Sequence, residues 1–176
     1  MKNFVYVLPL ILSVLVGCNG CSDKKKTSSA TDYNQVQQDL IDESKKQHQK
    51  EIKAIQKFIQ EKGWPMQETK TGLQYWIYEN GTGEKGALNK IATISYTITL
   101  LDGTECYEAS DNNPKQFKIG QDNVESGLHE AVQLMHTGDR GRFILPSHLA
   151  FGFTGDSGKI PQNASVVYDI HLLMIQ

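Results

Sequence analysis

The arrangement of hydrophobic and polar residues changes three times along this chain of 176 residues. Residues 4–16 form an almost unbroken apolar run behind one early cation, Lys2. Residues 22–30 are polar, and residues 32–62 carry apolar side chains at spacings of three, four and their multiples. From residue 72 onward apolar and polar residues alternate, which is typical of β-strands. The pattern therefore predicts an apolar leader, a polar tether, a helix and a strand-rich domain.

The predicted helix is amphipathic and ends at Gly63, just before Pro65. Apolar residues are missing at 44–49, which leaves open a break at that point. The apolar stripe can pack on the domain, form a homodimer through residues 36–59, or lie on a membrane, although balanced charges disfavour the membrane. The stripe consists of Ile52, Ile55 and Ile59, and the apolar residues that recur along the whole helix are Val36, Leu40, Ile52, Ile55, Phe58 and Ile59.

The domain is predicted to contain five strands and one short helix. Asp102-Gly103 is a hairpin turn signal, and Gly138 closes the helix predicted at residues 124–135. Antiparallel strands combined with one helix indicate an α+β class. The strands are predicted at residues 73–78, 91–100, 104–107, 140–145 and 166–175.

The N-terminus has the features of an export signal. Its apolar run is shorter than the roughly 20 residues that span a bilayer, and it follows a basic start. Leu15-Val16-Gly17-Cys18 resembles the bacterial lipobox, which implies cleavage before Cys18 and acylation of its sulfur. The alternative is an ordinary signal peptide with a chance cysteine. The lipobox interpretation predicts a cell-envelope protein anchored through Cys18, in the outer membrane and facing the periplasm. The predicted segments are a signal peptide (1–17), a lipidated flexible tether (18–31), a helical spacer (32–63) and a folded domain (64–176).

Composition excludes some functions and adds few candidate sites. The formal net charge of -2 and a sequence pI of about 6.2 do not favour nucleic-acid binding. No Cys or His spacing indicates a metal site, and we expect no cofactor. A disulfide between Cys21 and Cys106 is formally open, but we expect Cys106 to be a small buried side chain. Residues 81–86 match GxGxxG, yet a strand-like run follows them, so they are interpreted as a turn.

The folded domain contains a series of short motifs in a specific order and spacing. They are Ile94-Ser95-Tyr96-Thr97, Leu101-Asp102-Gly103-Thr104, Gly127-Leu128-His129-Glu130-Ala131, Met135-His136-Thr137-Gly138-Asp139, Leu145-Pro146-Ser147-His148-Leu149-Ala150-Phe151-Gly152, Ile160-Pro161-Gln162-Asn163-Ala164 and Val167-Tyr168-Asp169-Ile170. With these motifs, residues 71–176 resemble the FKBP-type peptidyl-prolyl cis-trans isomerases. Several of the motifs look most like the gliding-motility-associated lipoprotein isomerases of the Bacteroidetes.

The resemblance implies an antiparallel sheet curled around the short helix, with a proline-binding pocket between them. It also implies that the N–H of Ile160 holds a substrate carbonyl. Phe151 stands where the family often has a tyrosine hydroxyl, and Glu108 becomes the acidic partner of Tyr96 only if one residue is inserted before Tyr107. Lys115 falls near a position that is usually aromatic. The implied catalytic residues are Tyr96, Phe151, Ile160 and Tyr168, and the implied substrate-binding residues are Tyr107, Glu108, Val124 and Leu128.

The function implied is isomerisation of Xaa-Pro bonds in exported envelope polypeptides. The reaction needs no nucleophile, metal or cofactor, because the barrier of about 18–20 kcal/mol comes from amide resonance. Two alternatives stay open. The aromatic residues can form a plain hydrophobic core, or the pocket can serve a prolyl-peptide holdase or an assembly factor, as for motility, with little catalysis.

Overall fold

A computed structural model describes residues 30–176, with side chains from Tyr33 onward. The predicted signal peptide, Cys18 and Cys21 therefore lie outside the described residues. Contacts within the chain divide it into two units, residues 1–39 and 40–176. In the first unit the described part is the beginning of helix α1 (Ala30–Lys62), where the side chains are exposed. This division falls between Asp39 and Leu40, whereas the sequence places the domain boundary at residues 63–64.

Helix α1 is continuous, so the break left open at residues 44–49 does not occur. The helix ends in a turn at Gly63, whose φ of 65° suits glycine. The N–H of Trp64 donates to the carbonyl of Ile59 at 3.3 Å, which is the six-to-one bond of a Schellman motif. The stop predicted at Gly63 is confirmed. Among the described residues, no helix combines the length and the apolar character needed to cross a membrane.

In the described part of the chain, seven strands form one antiparallel sheet in the order β1-β2-β6-β7-β3-β4, with β5 also paired to β3. The two longest strands, Ile91–Leu100 and Val166–Ile175, have ten residues each and pair with each other. The strands are β1 (Gln67–Glu68), β2 (Gln74–Glu79), β3 (Ile91–Leu100), β4 (Glu105–Ala109), β5 (Lys115–Lys118), β6 (Arg140–Leu145) and β7 (Val166–Ile175).

Helix α2 (Ser126–Leu134) packs on the inner face of this sheet. It buries Leu128, Ala131 and Val132 in the same cluster as Phe143 and other apolar side chains of the strands. A single 3₁₀ turn, Ser147–Leu149, follows β6. The predicted α+β architecture, with an antiparallel sheet around a short helix and a helix before it, is confirmed. Strands β1 and β5 and the 3₁₀ turn were not predicted.

The outer face of the sheet carries the second half of α1. Ile55 and Phe58 are buried there against Ile144 and Val167. Packing of the stripe on the domain is therefore confirmed for Ile55, which is buried, and for Ile59, which is partly buried against the same cluster. Ile52 is exposed, as are Val36 and Leu40.

Arg142 organises the aromatic side chains beside this helix. Its guanidinium carbon lies 4.5 Å from the ring centroid of Trp64 and 5.1 Å from that of Tyr78. The Nε atom of Arg142 donates to Asp169 at 3.0 Å, and the Tyr78 hydroxyl donates to the same carboxylate at 2.6 Å. A guanidinium stacked between aromatic faces and fixed by a carboxylate is a more favourable arrangement than an ordinary surface ion pair.

Residues 81–86, which were expected to form a turn, form an irregular loop with a bend at Gly83 and a bridge between Lys85 and His136, and the glycines of this loop have a packing reason. A Cβ atom at Gly81 would lie 2.2 Å from the carbonyl oxygen of Thr137, and one at Gly86 would lie 2.1 Å from that of Val132. The N–H of Gly81 donates to the carboxylate of Asp139 at 2.6 Å. The GxGxxG pattern therefore reflects close backbone contact with the segment after α2.

Candidate active site

Six of the eight predicted pocket residues belong to the main hydrophobic cluster. The sheet contributes Tyr96 and Tyr168, and the other members come from α2, from the segment directly before it and from the connection between β6 and β7. Tyr96, Val124 and Phe151 are half-buried, so the cluster reaches solvent at these three side chains. The three fully buried members are Leu128, Ile160 and Tyr168.

Tyr96 and Tyr168 form the aromatic centre of this cluster because β3 and β7 are paired. Tyr96 lies opposite Ile170 and Ile98 lies opposite Tyr168, so the two tyrosines are diagonal neighbours on one face. Their ring centroids are 5.6 Å apart with an angle of 54° between the planes. This geometry falls within the range of favourable aromatic pairs and presents ring surface rather than charge.

A carboxylate that the sequence did not single out faces both tyrosines. Burial raises the pKa of Tyr96, and the negative charge of Glu125 raises it further. Burial also raises the pKa of Tyr168 strongly, with smaller contributions from the charge of Glu125, from Tyr96 and from a hydrogen bond to Glu125. Both phenols are therefore neutral over the physiological pH range. Glu125 lies directly before α2 and is half-buried, so it gives this edge of the cluster an acidic side chain.

Ile160 is held by a loop that is organised around Asp156. The Oδ1 atom of Asp156 accepts the N–H groups of Gly158 and Ile160, each at 2.8 Å, and its Oδ2 atom accepts the hydroxyl of Tyr107. Burial alone would raise the pKa of Asp156, but these hydrogen bonds outweigh it and hold the pKa below its usual range. The ionised carboxylate thus fixes the backbone that carries Ile160 into the cluster.

The geometry bears on three of the implied roles. The N–H of Ile160 is already donated to Asp156 at 2.8 Å and is not free for a substrate carbonyl. The Tyr168 side chain is only 1% exposed, so its ring does not line an open cleft on one side. Glu108 pairs with Thr97 and lines a cleft on the outer face, so it is not the acidic partner of Tyr96.

Tyr107 and Glu108 lie outside the cluster for a structural reason. The β3–β4 register places Thr99 opposite Glu105 and Ile98 opposite Tyr107, so Cys106 is an extra residue in a β-bulge. Tyr107 is left partly exposed with Lys159 over its ring at 5.5 Å. Its nearest acidic partner is Asp156, which the sequence analysis did not identify. Lys115, on β5, is exposed.

Cys106 is a buried free thiol in the same cluster, as expected from its sequence context. Burial raises its pKa, and the charge of Asp156 raises it further. A neutral, buried thiol is a poor nucleophile, so Cys106 serves as packing.

The comparison with protein families agrees with this arrangement. The family model described as FKBP-type peptidyl-prolyl cis-trans isomerase matches residues 83–173, which is just over half of the chain. The chain belongs to this family. The match begins inside the loop at residues 81–86 and includes β3 to β7 and α2, so it contains every predicted pocket residue.

Several curated proteins share this FKBP region. The chain is 43% identical over 109 residues to the FKBP-type peptidyl-prolyl cis-trans isomerase FkpA of Aeromonas hydrophila, covering 61% of this chain and 40% of that protein. It is 35% identical over 108 residues to the outer membrane protein MIP of Legionella longbeachae, covering 60% of this chain and 45% of that protein. The chain thus spans less than half of the length of either relative.

Solved structures extend the likeness to the fold. A crystal structure of FkpA from Escherichia coli matches with a TM-score of 0.63 at 25% identity, over 84% of this chain and 73% of that chain. A peptidyl-prolyl cis-trans isomerase from Pseudomonas syringae matches with a TM-score of 0.62 at 29% identity, over 73% of this chain and 95% of that chain.

Proposed function

We propose that this chain catalyses cis-trans isomerisation of Xaa-Pro bonds in exported cell-envelope polypeptides. The observation that carries the proposal is the apolar cluster of an FKBP-type domain that reaches solvent at Tyr96, Val124 and Phe151. The relatives named as peptidyl-prolyl isomerases share this region of the chain. A prolyl ring docked at these three side chains would rest on aromatic and aliphatic surface, with the Glu125 carboxylate at the edge of the cluster.

The chemistry follows from what the cluster offers. A twisted Xaa-Pro amide loses conjugation and part of its charge separation, so an apolar surface stabilises it relative to the planar amide. Each 1.36 kcal/mol of such differential stabilisation accelerates the reaction tenfold. In the proposal, Tyr96 and Phe151 contact the pyrrolidine ring, while Ile160, Leu128 and buried Tyr168 support the floor beneath it.

The test is an exchange or protease-coupled assay on a panel of Xaa-Pro peptides. Phe151→Ala is expected to lower kcat/KM by at least about tenfold, since it removes a half-buried wall of the cluster. Phe151→Tyr is expected to keep the activity, because it retains the ring. The matched control is Phe153→Ala, in the same loop but with a side chain that is 74% exposed. Circular dichroism and thermal melts establish that each variant is folded.

Two outcomes decide against this proposal. If folded Phe151→Ala retains full activity, the substrate-binding position has been placed wrongly. If the wild-type chain binds Xaa-Pro peptides but accelerates none of them, the alternative of a prolyl-peptide holdase or assembly factor replaces the enzyme. The absence of a hydroxyl on Phe151 is the observation that favours this alternative, because one hydrogen bond to the substrate is missing.

We further propose anchoring through a lipidated Cys18 at the outer membrane, as the lipobox-like sequence Leu15-Val16-Gly17-Cys18 implies. The relative from Legionella is named as an outer membrane protein, which supports an envelope location. Cys18→Ala is expected to release the chain from membranes and to abolish fatty-acid labelling. Persistent labelling of Cys18→Ala would contradict lipidation.

The relation to gliding-motility lipoproteins of the Bacteroidetes and a homodimer through residues 36–59 remain proposals as well. Val36, Leu40 and Ile41 support the dimer, because these large apolar side chains are exposed. Sedimentation of wild type and Leu40→Glu tests it, with a dimer expected only for wild type.

A further inference from the structure

The tertiary structure brings together three potential metal ligands that are far apart in the sequence. His48 and Glu51 lie one turn apart on α1, and His148 lies in the 3₁₀ turn after β6. One ligand atom from each side chain can be chosen so that all three lie within 4.8 Å of one another. The spacing in the sequence gave no sign of this group because its third member follows almost a hundred residues later.

Hydrogen bonds orient Glu51 as a ligand. Its Oε1 atom accepts the N–H of Ser147 at 2.6 Å and the hydroxyl of Ser165 at 2.7 Å. The Oε2 atom points toward His48, with 3.9 Å to its Nδ1 atom. The Glu51 side chain is only 9% exposed, so it is a carboxylate fixed in place with one oxygen free for a cation. Such outer hydrogen bonds are typical of carboxylates that bind metals.

A hydrogen bond also orients His148 as a metal ligand. Its Nε2 atom lies 3.1 Å from the carbonyl oxygen of Thr71. Because a carbonyl only accepts, Nε2 carries the hydrogen in this contact, and Nδ1 retains its lone pair. A histidine that donates one ring N–H to a backbone carbonyl and offers the other nitrogen is the usual form of a metal ligand.

The two imidazoles lie edge to face, and both are close to the carboxylate. The ring centroids of His48 and His148 are 6.0 Å apart at an angle of 72°. Tetrahedral zinc, with bonds of about 2.0–2.2 Å, separates its ligand atoms by about 3.4 Å, so the side chains need to close by about 1 Å. The exposed His48 side chain can make this movement by rotation. A cavity of about 680 Å³ borders all three residues and gives access from solvent.

We propose that His48, Glu51 and His148 form a zinc site that fastens α1 to the segment after β6. Two imidazoles and a carboxylate match the three-ligand sets of zinc sites that keep a fourth position for water. The site is independent of the proposed isomerase activity, because none of its ligands belongs to the aromatic cluster. It crosses from the helix to the turn that directly precedes Phe151, so bound zinc would stiffen this junction.

Titration of the metal-free full chain with Zn²⁺, followed by calorimetry, tests the proposal. Wild type is expected to bind one Zn²⁺ per chain and to melt about 5 °C higher when free zinc is a hundredfold above the dissociation constant. His48→Ala and His148→Ala are each expected to weaken binding by at least tenfold. The matched control is His136→Ala, at an exposed histidine outside the group, and it is expected to bind as wild type does.

Glu51→Gln keeps the proposal falsifiable if a histidine variant fails to fold. The amide oxygen of the glutamine can still accept hydrogen bonds from the N–H of Ser147 and the hydroxyl of Ser165, so α1 stays attached to the sheet. The negative charge of the ligand is lost. Weak binding by this folded variant supports the site, and undiminished binding overturns it. X-ray absorption of the zinc-loaded chain is expected to show only nitrogen and oxygen neighbours with imidazole scattering. Sulfur neighbours, binding by Cu²⁺ alone, or no binding by wild type would each refute the zinc assignment.

Discussion

Substitution of two isoleucines on α1 tests whether the apolar stripe of this helix stabilises the protein by packing on the sheet. Ile55 is 4% exposed and packs with Phe58 against Ile144 and Val167, whereas Ile52, one turn earlier, is 39% exposed. Replacement of either by alanine changes helix propensity in the same favourable direction. Any difference in unfolding free energy between Ile55→Ala and Ile52→Ala is therefore due to the tertiary contacts of these side chains.

The expected magnitude follows from burial. Ile→Ala at a buried site costs about 2–5 kcal/mol, and the lower end applies here because a helix on the outer face of a sheet can settle into the space left behind. We expect Ile55→Ala to lose about 2 kcal/mol of unfolding free energy and Ile52→Ala to lose less than about 0.5 kcal/mol. With an m value of about 1.5 kcal/mol/M, Ile55→Ala lowers the urea midpoint by about 1.3 M.

Urea unfolding without added metal measures this difference, with far-ultraviolet circular dichroism as one probe and tryptophan fluorescence as the other. Trp64 and Trp76 lie beside α1 around Arg142, so fluorescence senses undocking of the helix. Equal midpoint shifts for the two variants would refute the packing argument. A shift for Ile52→Ala that depends on protein concentration would show instead that the exposed part of the stripe forms a dimer.

Three further predictions follow from single contacts. Burial, then the hydrogen bond to Asp169 and the charge of that carboxylate, raise the pKa of Tyr78 from 10.0 to about 12. The protonated Tyr78 hydroxyl therefore stabilises the folded state fully below about pH 10, and this stabilisation is lost as pH rises toward about 12. Between about pH 9 and about pH 11, the urea midpoint of Tyr78→Phe should fall less than that of wild type. Gly86→Ala should cost about 3 kcal/mol in unfolding experiments, since its Cβ would meet a backbone oxygen, whereas Gly63→Ala, with open space and φ of 65°, should cost about 1 kcal/mol. Asp156→Ala should lower kcat/KM for Xaa-Pro peptides about tenfold, mainly through KM, because it frees the loop that carries Ile160; unchanged kinetics would contradict this positioning role.

Much of the secondary structure follows from local sequence. Strands β3, β6 and β7 have the predicted bounds. For β3, ten β-branched and alternating residues favour a strand over a helix. Helix α1 was predicted to within two residues at its start, and its stop at Gly63 needs only the left-handed conformation that glycine permits. Strand β5 was missed, since Lys115–Lys118 has one buried side chain and becomes a strand only by pairing with β3.

Some residues of the candidate site could be identified from the sequence and others could not. Motif order alone placed Tyr96, Phe151 and Leu128 in one apolar cluster, because residues of these types at these spacings recur in FKBP-type domains. Glu125 and Asp156 were not identified, and Glu108, which the resemblance implied as a substrate-binding residue, lies opposite Thr97 and away from the cluster. Which side of a strand a residue takes changes with each single-residue shift, and the bulge at Cys106 introduces such a shift without a clear sign in the sequence.

Long-range proximity was decided by tertiary structure alone. The contact of Glu51 with Ser147 and Ser165, and its approach to His48 and His148, depends on where α1 lies on the sheet. Hydrophobic periodicity reports only that a helix has an apolar face, not which surface will cover it. The sequence by itself therefore determined the two helices, the five longest strands apart from exact bounds, their order and the resemblance to the family. The folded sheet determined which polar groups meet, because its register brings together side chains that are distant along the chain.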